Sequence, residues 1–244
     1  MGDMLSEYKE KLSYFEPTNK IFMKHNPDFT GKTLVQKDLA NTLKLIAIKG
    51  KDGFYKGEVA KKISNEMHKN GGLITENDLR NYKPQWRKPL ISDYRDNKII
   101  TMGPPSSGGV HIVQMLNILE NYDIQEIGHN TTDYINLLAE VMKYAYADRS
   151  KHLGDPDFFD VPISEITNKS YAKSIKNKIK IGESTPSSKI LPGSLNDNES
   201  IETTHFSVAD IYGNVISSTY TLNSTFGSGV TIEGTGILMN NEMD

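Results

Sequence analysis

Residues 203–223 read "TTHFSVADIYGNVISSTYTLN", and five hydroxyl side chains, a histidine and an asparagine fall at alternate positions of its two apolar-polar runs. Side chains alternate across a strand, so Thr203, His205 and Ser207 share one face while Thr204, Phe206 and Val208 share the other. "THFSVAD" and "VISSTYTLN" flank "IYGN", a short loop containing Gly213, which predicts a β-hairpin. In the second run Ser217, Thr219, Thr221 and Asn223 oppose Ile216, Ser218, Tyr220 and Leu222. Burial of Phe206 and Val208 with Ile216 and Leu222 is the expected choice of register. It gathers Thr203, His205, Thr219, Thr221 and Asn223 on the other face, because a one-residue slip would reverse every side chain. A hydroxyl on such a face becomes a useful nucleophile once a base is near it. The blander reading is a solvated strand face, for which threonine is well suited. The pattern alone leaves both open.

The elements that would carry this face read as follows. "DLANTLKLIAIKG" places Leu39, Leu43 and Ile46 on one side of a helix that stops at Gly50, and "VAKKISNEMHKNGG" does the same with Val59, Ile63 and Met67. A short strand is expected around 98–102, then a Gly/Pro/Ser turn, then a helix carrying Val113, Leu116 and Leu119. "TTDYINLLAEVMKYAYADRSKHLG" predicts a helix of about five turns at 3.6 residues per turn, capped at Thr132 or Asp133 and stopped near Gly154. From Gly182 to Ser200 the composition turns to Ser, Pro, Gly and Asn, as in an exposed connection.

Composition excludes several classes of function. The 244 residues are 36% hydrophobic and 24% charged, enough to bury a real core in one large or two small domains. The balance of 28 basic and 31 acidic residues, without a block of like charge, points away from nucleic acid and membrane surfaces and toward a small partner. With no cysteine there is no disulfide, thiolate ligand or cysteine nucleophile. The opening residues lack the apolar core of a signal peptide, and no apolar run is long enough to span a bilayer, so neither an export signal nor a membrane segment is expected in this chain. "GPPSSGG" lacks the lysine and spacing of a phosphate loop, so phosphate binding is not expected there. "GDPDFFD" lacks the spacing of a calcium loop, and the six histidines form no ligand pair, so no metal and no cofactor are expected.

"TTHFSVADIYGNVISSTYTLNSTFGSG", followed by "GTGILMNNEMD", resembles the segment around the catalytic threonine of the gamma-glutamyltranspeptidase family of N-terminal-nucleophile hydrolases. The similarity continues upstream through "LANTLKLIAIKGKDGFYKGEVAKKI", "NGGLITENDLRNYKPQWRKPL", "GPPSSGGVHIVQMLNIL" and "MKYAYADRSKHLGDPDF". The resemblance implies an α+β chain, part of an αββα sandwich. Residues 1–183 would belong to a mostly helical large subunit, 184–202 to a flexible segment before the cleavage site, and 203–244 to the start of the small subunit.

The resemblance also implies roles. A precursor would cleave itself between Glu202 and Thr203, making Thr203 an N-terminus. Its freed α-amino group, with a pKa of about 7.7–8.0, could then serve as base for its own hydroxyl. Thr221 matches the threonine that hydrogen-bonds the nucleophile. Asn223 matches the asparagine at the amino-acid end of the γ-glutamyl group, and Glu242 the position that holds the donor's α-amino group, a charge-assisted contact. His205 matches a structural residue. The implied reaction is γ-glutamyl transfer from, or hydrolysis of, glutathione and related compounds, with amino acids, peptides or water as acceptors, in an extracellular or periplasmic location. Relatives acting on poly-γ-glutamate or β-lactam acyl groups share the nucleophile motif and remain alternatives. The sequence stops at Asp244, inside the family's binding motif, and omits the later serine and glycine pairs and an earlier arginine. The given chain alone is therefore expected to remain uncleaved and to self-associate. The competing class is an inactive fragment that serves at most as a binding or assembly module.

Overall fold

A computed structural model describes residues 2–24, 31, 33–190 and 203–242. Seven helices open the chain: α1 (Gly2–Glu7), α2 (Lys9–Tyr14), α3 (Glu16–Phe22), α4 (Lys37–Lys49), α5 (Asp52–Tyr55), α6 (Gly57–Lys69) and α7 (Glu76–Asn81). A hairpin follows, β1 (Leu90–Tyr94) and β2 (Asn97–Thr101), and then α8 (Gly108–Leu119), α9 (Ile124–Ile127), α10 (Thr132–His152), α11 (Ile163–Ile166) and α12 (Lys169–Lys176). The second hairpin is β3 (Thr203–Ala209) and β4 (Val215–Thr221), and each hairpin is a two-stranded antiparallel sheet. Packing divides the chain into one compact unit of residues 1–84 with 198–244, and another of residues 85–197. This is a division by contact and says nothing about where a precursor would be cut.

In the first unit, α6 turns Val59, Ala60 and Ile63 inward against Leu79 and Ile232, while Leu5, Leu12 and Phe22 of the opening helices close on Phe226. The Thr18 hydroxyl stitches these layers, donating to Gly229 O at 2.7 Å and accepting from Thr231 N at 2.9 Å. Helix α4 forms over the expected residues and ends before Gly50, but its inward face is rotated. Leu43 is exposed and Thr42 is buried. The Thr42 hydroxyl donates to Thr235 O at 2.8 Å, a polar contact that hydrophobic spacing does not reveal.

The second unit is built on α8, α10 and α12, whose Ile118, Leu137, Val141, Ala172 and Ile175 form a fully buried cluster. Helix α10 starts one residue earlier than the sequence predicts. Thr131 is its N-cap, in extended conformation, and its Oγ1 accepts from Tyr134 N at 3.2 Å. A buried polar network joins the helices: Gln114 Nε2 and the Tyr171 hydroxyl both donate to the Asp148 carboxylate. Burial, with the Asp148 charge beside it, pushes the Tyr171 hydroxyl upward from its ordinary pKa. The motif "GPPSSGG" is steric in role here. A Cβ on Gly109 would lie 1.8 Å from Met102 O, so only glycine lets α8 begin so close to the end of β2. The acidic "GDPDFFD" loop is tied by Arg87, whose two terminal nitrogens reach the Asp157 carboxylate at 3.1 and 2.7 Å. That hydrogen-bonded guanidinium holds the Asp157 carboxyl below its usual range.

Candidate functional site

The second hairpin is closed by a side chain. Asp210 accepts from Tyr212 N and Asn214 N, both at 2.9 Å, and from Asn214 Nδ2 at 2.7 Å. An aspartate that bonds the backbone ahead of it in this way fixes the turn locally. These bonds, that from the Asn214 side chain first, hold the Asp210 carboxyl below its usual range. With the turn set, Thr203 pairs with Thr221, His205 with Thr219 and Ser207 with Ser217, which keeps on one face the residues that alternation groups there. His205 braces the two strands: Nδ1 lies 2.7 Å from Thr219 Oγ1 and Nε2 lies 3.1 Å from Ser217 Oγ.

The other face of the hairpin departs from expectation. Phe206, Val208, Ile216 and Leu222 were expected in a core, yet all four are exposed. Two strands offer one flat face, and burying it takes a second layer that none of the described residues supplies.

At the end of β4 the chain turns sharply. Thr221 Oγ1 accepts from Asn223 N at 2.9 Å, and Asn223 adopts φ 73°, a left-handed conformation that asparagine tolerates better than most residues. Asn223 Nδ2 donates to Asn241 O at 3.2 Å, and Asn241 N donates to Leu222 O at 3.2 Å. Ser224 N and Oγ donate to Asn241 Oδ1 at 3.1 and 2.9 Å. Residues 222–224 are thereby laced to Asn241, which brings Glu242 alongside. Glu242 N donates to Asn240 Oδ1 at 3.0 Å, and its side chain is exposed.

The geometry thus assembles Thr221, Asn223 and Glu242 at one end of the hairpin, with the backbone of Thr203 opposite Thr221. An amide and a carboxylate on a fixed turn suit a ligand bearing an ammonium group. Glu202 and residues 191–201 of the expected connection lie outside the described residues. Ser224 and Asn241 were not singled out by sequence. Both are small polar residues next to motif positions, and only their mutual bonds distinguish them. Among the described residues, no three His, Cys, Asp or Glu side chains group closely enough to hold a metal ion.

The profile of the family described as Gamma-glutamyltranspeptidase matches residues 1–244. The chain belongs to the gamma-glutamyltranspeptidase family. It is 52% identical over 246 residues to the glutathione hydrolase proenzyme of Escherichia coli (strain K12), a match covering 100% of this chain and 42% of that relative. The crystal structure of Helicobacter pylori gamma-glutamyltranspeptidase is similar at TM-score 0.71 and 43% identity, over 81% of this chain and 58% of that one. The cephalosporin acylase of Bacillus halodurans is similar at TM-score 0.80 and 26% identity, over 98% and 43% respectively. The family is one of enzymes, and the fold is α+β, a part of the N-terminal-nucleophile hydrolase fold. The chain spans about two fifths of the length of the curated relative from Escherichia coli. No helix among the described residues is long and apolar enough to cross a membrane.

Proposed function

We propose that this chain is part of a precursor that cuts itself before Thr203, and that the mature enzyme transfers γ-glutamyl groups from glutathione and related donors to amino acids, peptides or water. One observation carries the reading: the hairpin register that sets Thr203 opposite Thr221 while Asn223 is bonded to the segment bearing Glu242. In the first step the Thr203 hydroxyl attacks the Glu202 carbonyl. The peptide C–N bond breaks as the ester forms, and the Thr203 nitrogen takes the hydroxyl proton. Water then cleaves the ester, leaving a Glu202 carboxylate and a Thr203 that carries both a hydroxyl and an amine. Residues up to 202 would close the large subunit and residues from 203 would open the small one, as the name proenzyme fits for the Escherichia coli relative.

In turnover the α-amine, a group whose ordinary pKa is about 7.7–8.0, accepts the hydroxyl proton as the oxygen attacks the donor's γ-carbonyl. The donor's amine portion leaves with a proton, and an acceptor amine or water then takes the γ-glutamyl group from the ester. Thr221 orients the nucleophile. Asn223 and Glu242 read the free amino-acid end of the donor, Glu242 pairing with its ammonium. The extracellular or periplasmic location rests on the family resemblance and is open to cell fractionation. An acylase activity is the second reading, since a cephalosporin acylase shares the fold; undiminished turnover of an α-N-acetylated donor would favour it.

Mass spectrometry and a γ-glutamyl anilide assay on the full-length protein test this. We expect a fragment beginning at Thr203 and turnover of the free donor, both lost in Thr203→Ala, together with poor turnover of the α-N-acetylated donor. Turnover that survives Thr203→Ala, or equal use of both donors, overturns the reading.

A further inference from the structure

The turn from 223 to 229 is held in a conformation that its Phe226 disfavours. Asn223 at φ 73° and Phe226 at φ 103° both lie in left-handed space. Such residues persist only where their surroundings over-determine them. On the apolar side the surroundings are rings: Phe226 meets Tyr8 at 5.8 Å and Phe22 at 5.7 Å, centroid to centroid. On the polar side the hold is Lys11 of α2.

Lys11 Nζ donates to Gly227 O and, at 3.2 Å, to Ser224 Oγ. Its aliphatic stem crosses the turn at Gly229, where an added Cβ would lie 3.0 Å from Lys11 Cγ, so the glycine leaves the stem its path. Ser224 passes the contact onward. A hydroxyl has one proton to give. Gly227 O and Asn241 Oδ1 both lie 2.9 Å from Ser224 Oγ, so the hydroxyl that accepts from Lys11 has its proton shared between the carbonyl Lys11 also holds and the Asn241 amide oxygen, which Ser224 N holds as well. Asn241 in turn fixes Asn223 through its backbone carbonyl and is bonded directly to Glu242 along the chain.

We infer that Lys11 is a positioning residue for donor binding: acting through Ser224 and Asn241, its ammonium sets the separation and orientation of Asn223 and Glu242. The inference rests on the proposed roles of those two residues. Lys11 is bonded to Ser224 and Gly227 and is not itself one of the residues proposed to hold the donor. Its loss therefore acts on the grip on the donor's amino-acid end rather than on bond-making at Thr203, which belongs to β3.

The test is steady-state kinetics of the full-length protein with free and α-N-acetylated γ-glutamyl anilides. Lys11→Met keeps the stem over Gly229 and removes the donors; Lys11→Arg keeps donors. We expect Lys11→Met to raise KM for the free donor about tenfold with kcat changed less than about threefold, and to narrow the preference for the free donor by a similar factor. Lys11→Arg regains most of the loss. Ser224→Ala reproduces the rise in KM, and the double variant is no worse than the poorer single, since both remove one chain of contacts. Wild-type KM and preference in Lys11→Met, or additive effects in the double variant, overturn the inference. Should Lys11→Met fail to accumulate, wild-type KM and preference in Ser224→Ala overturn it. Thr203→Ala separates the two levels: activity surviving there overturns the proposed function, whereas its loss alongside wild-type behaviour of Lys11→Met overturns only the role of Lys11.

Discussion

In the unit of residues 85–197, Ile118, Leu137, Val141 and Ile175 are fully buried, whereas on the β3–β4 hairpin Phe206, Val208 and Ile216 remain 45%, 54% and 63% exposed. Both regions are patterned with one apolar face. Their difference lies in what each needs to bury it. A helix hides a stripe against one or two neighbouring helices, and α8, α10 and α12 lie within seventy residues of one another and serve each other. A two-stranded sheet must be covered by a further layer, and alone it is marginal in water. Burial therefore concentrates in the packed helices, and Thr203 and Thr221 sit on a hairpin that buries little of its own.

Substitutions can break or sharpen this contrast. The largest effect on stability is expected from Leu137→Ala in the 244-residue chain. It empties a fully buried site and costs about 2–5 kcal/mol. A denaturant titration showing a loss below about 1 kcal/mol would mean that the helical core is loosely packed and the contrast false.

An intermediate effect is expected at Glu140, whose side chain is 1% exposed and bonded to Lys143 Nζ at 2.7 Å and Thr185 N at 3.0 Å. Burial pushes this carboxyl up, but the hydrogen bonds from Lys143 and Thr185 and the charge of Lys143 more than offset it, leaving its pKa below the usual value. The folded state thus holds this proton less tightly than the unfolded chain. The stability it supplies is present above the ordinary glutamate pKa of about 4.3 and is lost as pH falls through the lowered value. Glu140→Gln should cost about 1–3 kcal/mol near neutrality and flatten the acid limb of the stability curve. An unchanged acid limb would show that other carboxylates carry it.

The smallest effect on stability is expected on the hairpin. Val208→Lys should change it by less than about 0.5 kcal/mol. The same change should reduce self-association of the chain in sedimentation, because it charges an exposed apolar face of a short sheet. A large loss of stability would show that this face is covered after all.

Much of the candidate site was legible because its geometry is local. Thr203 and Thr221 are set on one face by alternation and paired through a turn that Asp210 closes within five residues, so the register needs nothing from the rest of the chain. Helices α6, α8 and α10 were legible for the same reason: their apolar spacing repeats within each helix. The tertiary structure decided what has no periodic signature. It turned Thr42 of α4 inward in place of Leu43, because a carbonyl at Thr235, 193 residues away, offered the threonine a partner. It left the hairpin's apolar face open, because alternation says which side chains share a face and not whether anything covers it. It also brought Lys11 to Ser224 across 213 residues of sequence. A lysine on a short helix that also carries Lys9 and Glu10 looks like any solvated charge until long-range packing has ordered the intervening chain, and only then does its ammonium have a carbonyl and a hydroxyl to hold.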